Sequence, residues 1–166
     1  MKPILLWIRG IVFTILVPGT IAGYVPYLFM QNRVANMGIG SLHRLGLLVM
    51  AVGIFIYLCT VVSFLLHGKG TPAIWFTKAI SFIIGEEPVN MVSSGLYRYS
   101  RNPMYLGVIT TVAGEGIFFQ YSSILWYALA LFFIFTCVVI FIEEPHLEEK
   151  FGEEYKKYKK RTRRWL

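Results

Sequence analysis

Three long apolar stretches dominate the pattern of polar and apolar positions along this chain. They cover residues 4–29, 45–66 and 104–142, and Glu115 is the one acidic residue within them. A helix needs about 20 residues to cross a bilayer, so the first two stretches each predict one spanning helix. The third is too long for one span and is interrupted at residues 120–123, which predicts a hairpin of two helices. The pattern therefore predicts an all-α, polytopic membrane protein with about four transmembrane helices.

A shorter apolar stretch covers residues 73–84 and contains Lys78. It is flanked by two groups of residues that disfavour helix continuation, Gly70-Thr71-Pro72 and Glu86-Glu87-Pro88. A stretch of this length is too short to cross the membrane. It predicts a helix that lies in the membrane interface.

A new periodicity begins where the last apolar stretch ends, at Glu143 and Glu144. Apolar and aromatic residues then recur at spacings of four, four and three, namely Leu147, Phe151, Tyr155 and Tyr158. This spacing predicts an amphipathic C-terminal helix. Glu143 lies four residues before the first of these residues and shares their face, whereas Glu144 is rotated by about 100°. Glu143 is thus the better candidate for an inward-facing site residue, and Pro145 predicts a bend or a new helix start near Glu144.

Composition and charge agree with a membrane location and add an orientation. Hydrophobic residues make up 56% of the 166 residues and charged residues 15%, which excludes an ordinary soluble domain. The net charge is +7, and basic residues are concentrated in the last part of the chain. The positive-inside rule predicts a cytoplasmic tail, and four spans place the N-terminus on the same side. We expect the tail to meet anionic lipid head groups, not nucleic acid.

The chain shows no internal repeat and no linker, which predicts a single membrane domain over residues 1–166. Within it, residues 1–67 are expected to form scaffold helices and 68–103 a cytoplasmic connector. Residues 104–142 form the predicted hairpin, and 143–166 the C-terminal helix with its basic tail.

A polar cluster directly precedes the hairpin. Because both ends of a hairpin lie at one membrane face, this cluster and Glu143 should meet. Arg101, Asn102 and Pro103 are typical of a helix start, with Asn102 as the cap and Pro103 at the first position. A helix start also offers unpaired N–H groups to an anion. An inward-facing Glu143 needs a partner, which could be Arg98, Arg101 or a positive charge on a ligand.

Several residues in or near the spans allow two interpretations. Tyr97, Tyr99 and Tyr105 fit either an interfacial aromatic belt or a binding site. Gly107 lets either a ligand or another helix approach the backbone. Glu115 is a functional candidate because carboxylates inside a membrane are rare, although it could also reach the opposite interface.

Gly46 and Gly53 in the second span permit close helix packing. No histidine or cysteine residues show metal-ligand spacing, so no metal site is expected. Phosphate loops, dinucleotide fingerprints and serine nucleophile motifs are likewise missing from the sequence. Catalysis would therefore depend on positioning a reactive cofactor.

Two motifs resemble those of the integral-membrane methyltransferases of the isoprenylcysteine carboxyl methyltransferase and phospholipid methyltransferase superfamily. The first, Gly-x-Tyr-Arg-x-x-Arg-(His or Asn)-Pro-x-Tyr-x-Gly, is matched by Gly95, Tyr97, Arg98, Arg101, Asn102, Pro103, Tyr105 and Gly107. The second, Glu-Glu-x-x-Leu followed by Phe-Gly-x-x-Tyr-x-x-Tyr, is matched by Glu143, Glu144, Leu147, Phe151, Gly152, Tyr155 and Tyr158. The resemblance covers residues 89–166, with a weaker similarity at Gly70-Thr71-Pro72.

The resemblance implies S-adenosylmethionine as methyl donor, bound between the hairpin and the C-terminal helix. The implied donor-binding residues are Val89, Asn90, Met91, Val92, Tyr97, Asn102, Pro103, Met104, Tyr105, Gly107, Glu143, Glu144 and Tyr155. The implied catalytic residues are Glu143, Arg101 and Asn102. A lipophilic acceptor with a carboxylate, amine or thiol group would enter from the bilayer.

Two departures from the prenylcysteine enzymes bear on the acceptor. Asn102 stands where those enzymes have histidine, and Val139 replaces an arginine suited to a substrate carboxylate, which disfavours a prenylcysteine. Two other functions remain as alternatives. One is an NADPH-dependent membrane reductase of similar architecture, although the carboxylates beside the arginines would repel a polyphosphate. The other is a non-enzymatic transporter or scaffold in which the acidic residues are pathway or packing charges.

Overall fold

The computed structural model describes residues 3–31, 35–68 and 89–166, and these ranges form an all-α fold. The α-helices are α1 Pro3–Leu16, α2 Val25–Gln31, α3 Arg44–Ser63, α4 Pro103–Phe118, α5 Ser122–Val138 and α6 Glu144–Arg161. Wider π-helical turns at Thr20–Tyr24, Phe64–Gly68 and Val139–Glu143 follow or connect them, and short 3₁₀ turns lie at Gly40–His43 and Gly95–Arg98. The interfacial helix expected at residues 73–84 lies outside the described residues.

Three continuous helical segments are long and apolar enough to cross a membrane: Trp7–Gln31, Gly40–Gly68 and Ser122–Arg161. This confirms a multi-pass integral membrane protein. Large apolar side chains remain exposed on these segments, as expected where helices face lipid; Phe55, Trp126 and Phe141 are examples. Helix α4 is apolar too, but its 16 residues reach only about 24 Å along the axis, less than the bilayer core.

The predicted hairpin is confirmed. Helix α4 ends at Phe118 and α5 begins at Ser122, and Gln120 adopts a positive φ of 64° in the turn between them. Asn36, from the loop after the first helical segment, accepts a hydrogen bond from Ser122 N at 2.9 Å and donates one to Ser122 Oγ at 2.8 Å. The hairpin turn is therefore held by a distant loop as well as by its own backbone.

Helices α3 and α4 cross at very short range because glycines face each other. A Cβ atom on Gly53 would lie 2.5 Å from Thr111 N, and one on Gly107 would lie 2.8 Å from Tyr57 N. Gly46, seven residues before Gly53, and Gly114, seven residues after Gly107, make the equivalent approach. The predicted role of Gly46 and Gly53 in helix packing is confirmed. This contact fixes α4 relative to α3 and so positions the N-terminal end of α4.

The interior core lies between α3, α4 and α5. Its buried members are Tyr57, Val61, Leu65, Val108, Val112, Ile124, Ala128, Leu131 and Phe135. At the end of α5, the π-helical turn Val139–Glu143 leads into α6, which starts at Glu144 with Pro145 in its first turn. The helix continues through Glu144, so the predicted bend or new start takes the form of a change from π-helical to α-helical hydrogen bonding, and Pro145 is tolerated there because it has no N–H to donate.

Candidate active site

A cavity lies at the end of the molecule where α4 begins and α5 gives way to α6. It contains about 750 Å³ of empty space, part of it open to the surroundings. Its walls are formed by Phe64, Asn90, Met91, Val92, Tyr97, Arg101, Asn102, Met104, Tyr105, Val139, Glu143, Glu144, Leu147, Phe151, Tyr155 and Tyr158.

The two sequence motifs meet in this cavity, as the hairpin geometry predicts. Tyr105, in the first turn of α4, donates a hydrogen bond from its hydroxyl to Glu143 Oε1 at the end of the π-helical turn. The Tyr105 ring also packs on Phe135 of α5, with ring centroids 4.4 Å apart. The start of α4 and the end of α5 are therefore joined through one side chain.

Glu143 has no positively charged partner in the part of the chain that the structure describes. Its carboxylate accepts the hydrogen bond from Tyr105, and no lysine, arginine or histidine side chain there lies within 4.0 Å of it. A carboxylate in a cavity wall needs compensation for the water it has lost. The sequence suggested Arg98, Arg101 or a positive charge on a ligand as the partner of Glu143. Because neither arginine lies beside it, the ligand charge remains.

Glu144 has three basic partners. Arg164 Nε lies 2.7 Å from Oε1, Arg101 Nη1 lies 3.1 Å from Oε1 and Lys159 Nζ lies 3.1 Å from Oε2. Burial raises the pKa of the Glu144 carboxyl, but hydrogen bonds from Arg164 and Lys159 and the charge of Arg101 outweigh it, so the pKa is lowered. Glu144 is therefore ionised and satisfied within the protein.

The sequence suggested Arg101 as a partner of Glu143, but in the structure Arg101 pairs with Glu144. It faces Glu144, which follows Glu143 by one residue and about 100° of helix rotation. Its side chain is only 8% exposed, and Nε and Nη1 make no hydrogen bond to any described residue. Buried N–H groups without an acceptor are costly, so the cavity side of Arg101 is suited to an anionic ligand group. Arg98, the other expected partner, is exposed.

Asn102 does not cap α4 with its side chain, contrary to the expectation from the sequence. Its Nδ2 instead donates to the carbonyl oxygen of Arg164 at 3.0 Å, and Arg101 N donates to Arg163 O at 2.9 Å. A cap would use the side-chain oxygen as an acceptor, whereas this bond uses the amide nitrogen as a donor and orients the side chain toward the C-terminal segment. This segment lies beside the start of α4 and forms a single bridge between Ser100 and Arg163. Asn102 therefore holds the tail in place at the edge of the cavity.

The tail is a part of the site that sequence reasoning missed. Trp165 packs on Phe132 of α5 with ring centroids 5.2 Å apart, and Arg164 supplies the closest partner of Glu144. The sequence carried one signal for this, a tryptophan near the end of an otherwise polar tail. The tail therefore contributes both an apolar anchor and a charge to the site.

Aromatic side chains form much of the remaining wall. Tyr97 is buried, packs edge-to-face on Phe64 at 5.4 Å and accepts a hydrogen bond at its carbonyl from the Tyr158 hydroxyl at 2.6 Å. Burial raises the pKa of the Tyr97 phenol well above its usual value, so the group stays neutral. Tyr99, by contrast, is 72% exposed and does not line the cavity.

Most of the donor-binding residues expected from the motifs lie in this wall. Three do not: Val89 is exposed, Pro103 is buried at the start of α4, and Gly107 packs against α3. Wall residues absent from the expected set are Phe64, Val139, Leu147, Phe151 and Tyr158. Three of these belong to the periodic face of the predicted C-terminal helix, which was a usable signal. No sequence signal distinguishes Phe64, since it is one apolar residue among many in its span.

Gly152 explains how α6 follows the cavity. Its φ of 54° is positive, a conformation that glycine adopts at little cost, and it kinks the helix between Phe151 and Tyr155.

Among the described residues, no cluster of three or more histidine, cysteine or acidic side chains could hold a metal ion. Aromatic faces, one uncompensated carboxylate and one guanidinium with free N–H groups remain as the means of binding a ligand.

Comparison with known proteins gives a family match over most of the chain. Residues 41–154 match the family described as Phospholipid methyltransferase. The chain is also similar to an uncharacterized protein of Haemophilus influenzae, with 34% identity over 64 residues that cover 38% of this chain and 100% of that protein. No solved structure matches the chain.

Proposed function

Because this chain belongs to the phospholipid methyltransferase family, we propose that it transfers a methyl group from S-adenosylmethionine to a lipophilic acceptor at the cavity between α4 and α6. The family consists of methyltransferase enzymes that act on phospholipids. A membrane enzyme with a cavity at the end of its helical hairpin suits such chemistry, since the acceptor itself is dissolved in the bilayer.

The observation that carries the proposal is an unpaired carboxylate and an arginine with unused hydrogen-bond donors in one cavity. Among the described residues, Glu143 has no cationic partner, and Arg101, although it forms an ion pair with Glu144, has a buried Nε–H without an acceptor. The amino-acid end of S-adenosylmethionine carries one ammonium and one carboxylate, so it supplies both missing partners. Aromatic walls from Tyr97, Tyr105 and Tyr155 suit its adenine and its positive sulfonium.

The bound donor supplies an activated methyl group, so the protein needs no nucleophile of its own. The work of the chain is to align donor and acceptor and to exclude water. Glu143 anchors the donor electrostatically, and Tyr105 holds the Glu143 carboxylate in orientation through its hydroxyl. Arg101 and Asn102 were named with Glu143 as catalytic candidates. In this proposal Arg101 binds the donor, and Asn102 positions the C-terminal tail.

We further propose four transmembrane passages in a single domain over residues 1–166, with α4 as a short third span before the span that begins at Ser122. Both termini and the cavity lie on the cytoplasmic side in this arrangement. The support is the concentration of basic residues in α6 and the tail, which the positive-inside rule assigns to the cytoplasm. Exposed basic residues there would meet anionic head groups; Lys157 and Lys160 are examples. The acceptor would be a phospholipid or a related lipophilic molecule.

Calorimetric titration of the detergent-solubilised full chain with S-adenosylmethionine tests the proposal. We expect saturable binding to the wild type and about 10- to 100-fold weaker binding to Glu143→Gln, since hydrogen bonds to charged groups are strong. Glu153→Gln is the matched control, because Glu153 is an exposed carboxylate of α6 outside the cavity wall. Absence of saturable heat in folded protein, or preferential binding of NADPH, contradicts the proposal.

A further inference from the structure

A second cavity lies between the turn that joins α1 to α2 and the crossing of α3 with α4. It contains about 690 Å³ of empty space, part of it open to the surroundings. Its lining is mostly apolar and includes Pro18, Gly23, Ile54, Leu58, Val108 and Glu115. On the first helical segment this space is lined by Pro18, which has no N–H to donate, and by the small residues Gly19, Ala22 and Gly23.

Glu115 is the feature of this cavity that packing does not explain. It is the one acidic residue in the apolar stretches, and its Oε2 atom is buried with no hydrogen-bond partner among the described residues. A boundary charge at the far end of α4 would face water, whereas this oxygen does not. A buried carboxyl oxygen without a partner is costly, and an intramembrane carboxyl calls for a counter-charge or donor.

We propose that this cavity binds a lipophilic molecule bearing a protonated amine, with the ammonium paired to Glu115 and the apolar body against α1, α3 and α4. An ammonium supplies both the positive charge and the hydrogen bond that the Glu115 oxygen lacks. The apolar walls then match an alkyl chain. A fatty acid would place a second carboxylate beside the first, and a plain hydrocarbon would leave the oxygen unpaired.

This amine site is distinct from the proposed methyl-donor cavity. Glu115 follows Tyr105 by ten residues, which is about 15 Å along α4. Tyr57 lines the second cavity but not the first, and its hydroxyl donates to Thr14 Oγ1 at 2.9 Å across that wall. The amine site therefore binds its ligand without bringing the ammonium to the methyl donor, and it does not depend on the proposed transfer reaction.

Photolabelling of the full chain in lipid nanodiscs tests the inference. The probe is a long-chain primary alkylamine with a mid-chain diazirine, and the alcohol and the carboxylic acid of the same chain are matched probes. We expect the amine to label peptides that contain residues 14–23 or 54–58. Glu115→Gln, which is nearly isosteric, should reduce amine labelling about tenfold or more and leave alcohol labelling unchanged. Thermal unfolding of each variant verifies that it is folded.

Two further variants separate this inference from the methyltransferase proposal. Gly23→Leu adds a bulky side chain at the lining of the cavity, where a Cβ atom meets nothing within 4 Å, and it should reduce labelling by all three probes. Glu143→Gln should leave amine labelling unchanged while it weakens donor binding. Equal labelling by amine and alcohol, unchanged amine labelling in Glu115→Gln or Gly23→Leu, or labelling confined to other residues would each overturn the amine site.

Discussion

Glu143 and Glu144 are identical, consecutive residues at one helix junction, yet their surroundings differ completely. Three basic side chains surround Glu144, which is paired with Arg101, Lys159 and Arg164. From the residues that the structure describes, Glu143 receives one hydrogen bond, donated by the uncharged Tyr105. The rotation of about 100° between consecutive helical residues separates them. A carboxylate compensated by the protein stabilises the fold, whereas one without compensation is available to a ligand.

The pairing around Glu144 also explains why the carboxylate of Glu143 in the cavity is left without a basic partner among the described residues. Lys159 lies 2.7 Å from Glu148 as well as 3.1 Å from Glu144, so it is held away from Glu143. With the neighbouring cations already engaged, the negative charge of Glu143 attracts a cationic ligand group more strongly than it would in water. The comparison therefore predicts opposite consequences for two chemically equal substitutions.

Glu144→Gln should have the largest effect, and the effect should be on stability. It leaves Arg101 buried beside a neutral group, and breaking such a pair costs about 3–5 kcal/mol. Thermal and denaturant unfolding in detergent would measure the loss. Glu153→Gln on the exposed face of α6 is the control and should change little. Unchanged stability in Glu144→Gln would mean that the Glu144 cluster is not structural.

Glu143→Gln should leave the unfolding midpoint nearly unchanged and act on function. Loss of the anchoring charge should weaken the binding of S-adenosylmethionine by about 10- to 100-fold, as the proposed function requires. Donor titration paired with thermal unfolding of the same preparation separates the two effects. A variant that unfolds early but binds the donor normally would reverse the roles assigned to the two glutamates.

Tyr105→Phe should have a smaller effect on the same property. It keeps the ring contact with Phe135 and removes the hydrogen bond to Glu143, which is worth about 1 kcal/mol or more, or about fivefold in the affinity for the donor. Donor binding to the single and double variants with Glu143→Gln forms a thermodynamic cycle. Additive effects in that cycle would contradict a role of Tyr105 in orienting Glu143.

Lowering the pH should remove the stabilisation that the ionised Glu144 carboxylate provides. This loss should be smaller than the effects above but still measurable. Because the folded-state pKa of Glu144 lies below its ordinary value, its contribution is present above the unfolded pKa of about 4.3 and is lost as the pH falls through the folded pKa. The difference in stability between wild type and Glu144→Gln should therefore shrink below about pH 4. Unfolding series for both proteins from neutral to acidic pH would reveal this convergence, and a constant difference would exclude it.

Asn102→Ala should produce the smallest effect. It removes one hydrogen bond between the start of α4 and the tail, worth about 1 kcal/mol, while Arg101 N remains bonded to Arg163 O. Limited proteolysis at the basic C-terminus should become faster, with donor affinity changed less than in Tyr105→Phe. A loss of donor binding as large as in Glu143→Gln would instead place Asn102 on the donor.

Much of the architecture could be predicted because its signals are local. The apolar stretches required membrane helices, the polar break near Gln120 required a turn in the last one, and Pro145 favoured a bend or new helix start near Glu144. The spacing of residues after Glu143 predicted the face that α6 turns to the cavity. The expected meeting of the polar cluster at the start of α4 with the Glu143 region followed from hairpin geometry, whereas the contact of Tyr105 with Glu143 is known only from the structure.

The partners of individual side chains could not be predicted in the same way. Arg101 was an expected partner of Glu143 and pairs with Glu144, and Gly107 packs against α3 and not against a ligand site. Both depend on the rotation and separation of two helices to within a few ångströms. A periodic pattern defines the face of a helix but not its contacts, so sequence reasoning stopped at that level.

The sequence by itself determined that this chain is a helical, multi-pass membrane protein of the methyltransferase type, because span length, helix periodicity and short motifs are properties of consecutive residues. The tertiary structure alone decided which glutamate is free to bind a ligand and that the tail completes the site. Asn102 and Arg164 are 62 positions apart, and Tyr105 and Glu143 are 38 positions apart. Such contacts form only when the packed helices bring distant segments together, and no local pattern specifies them.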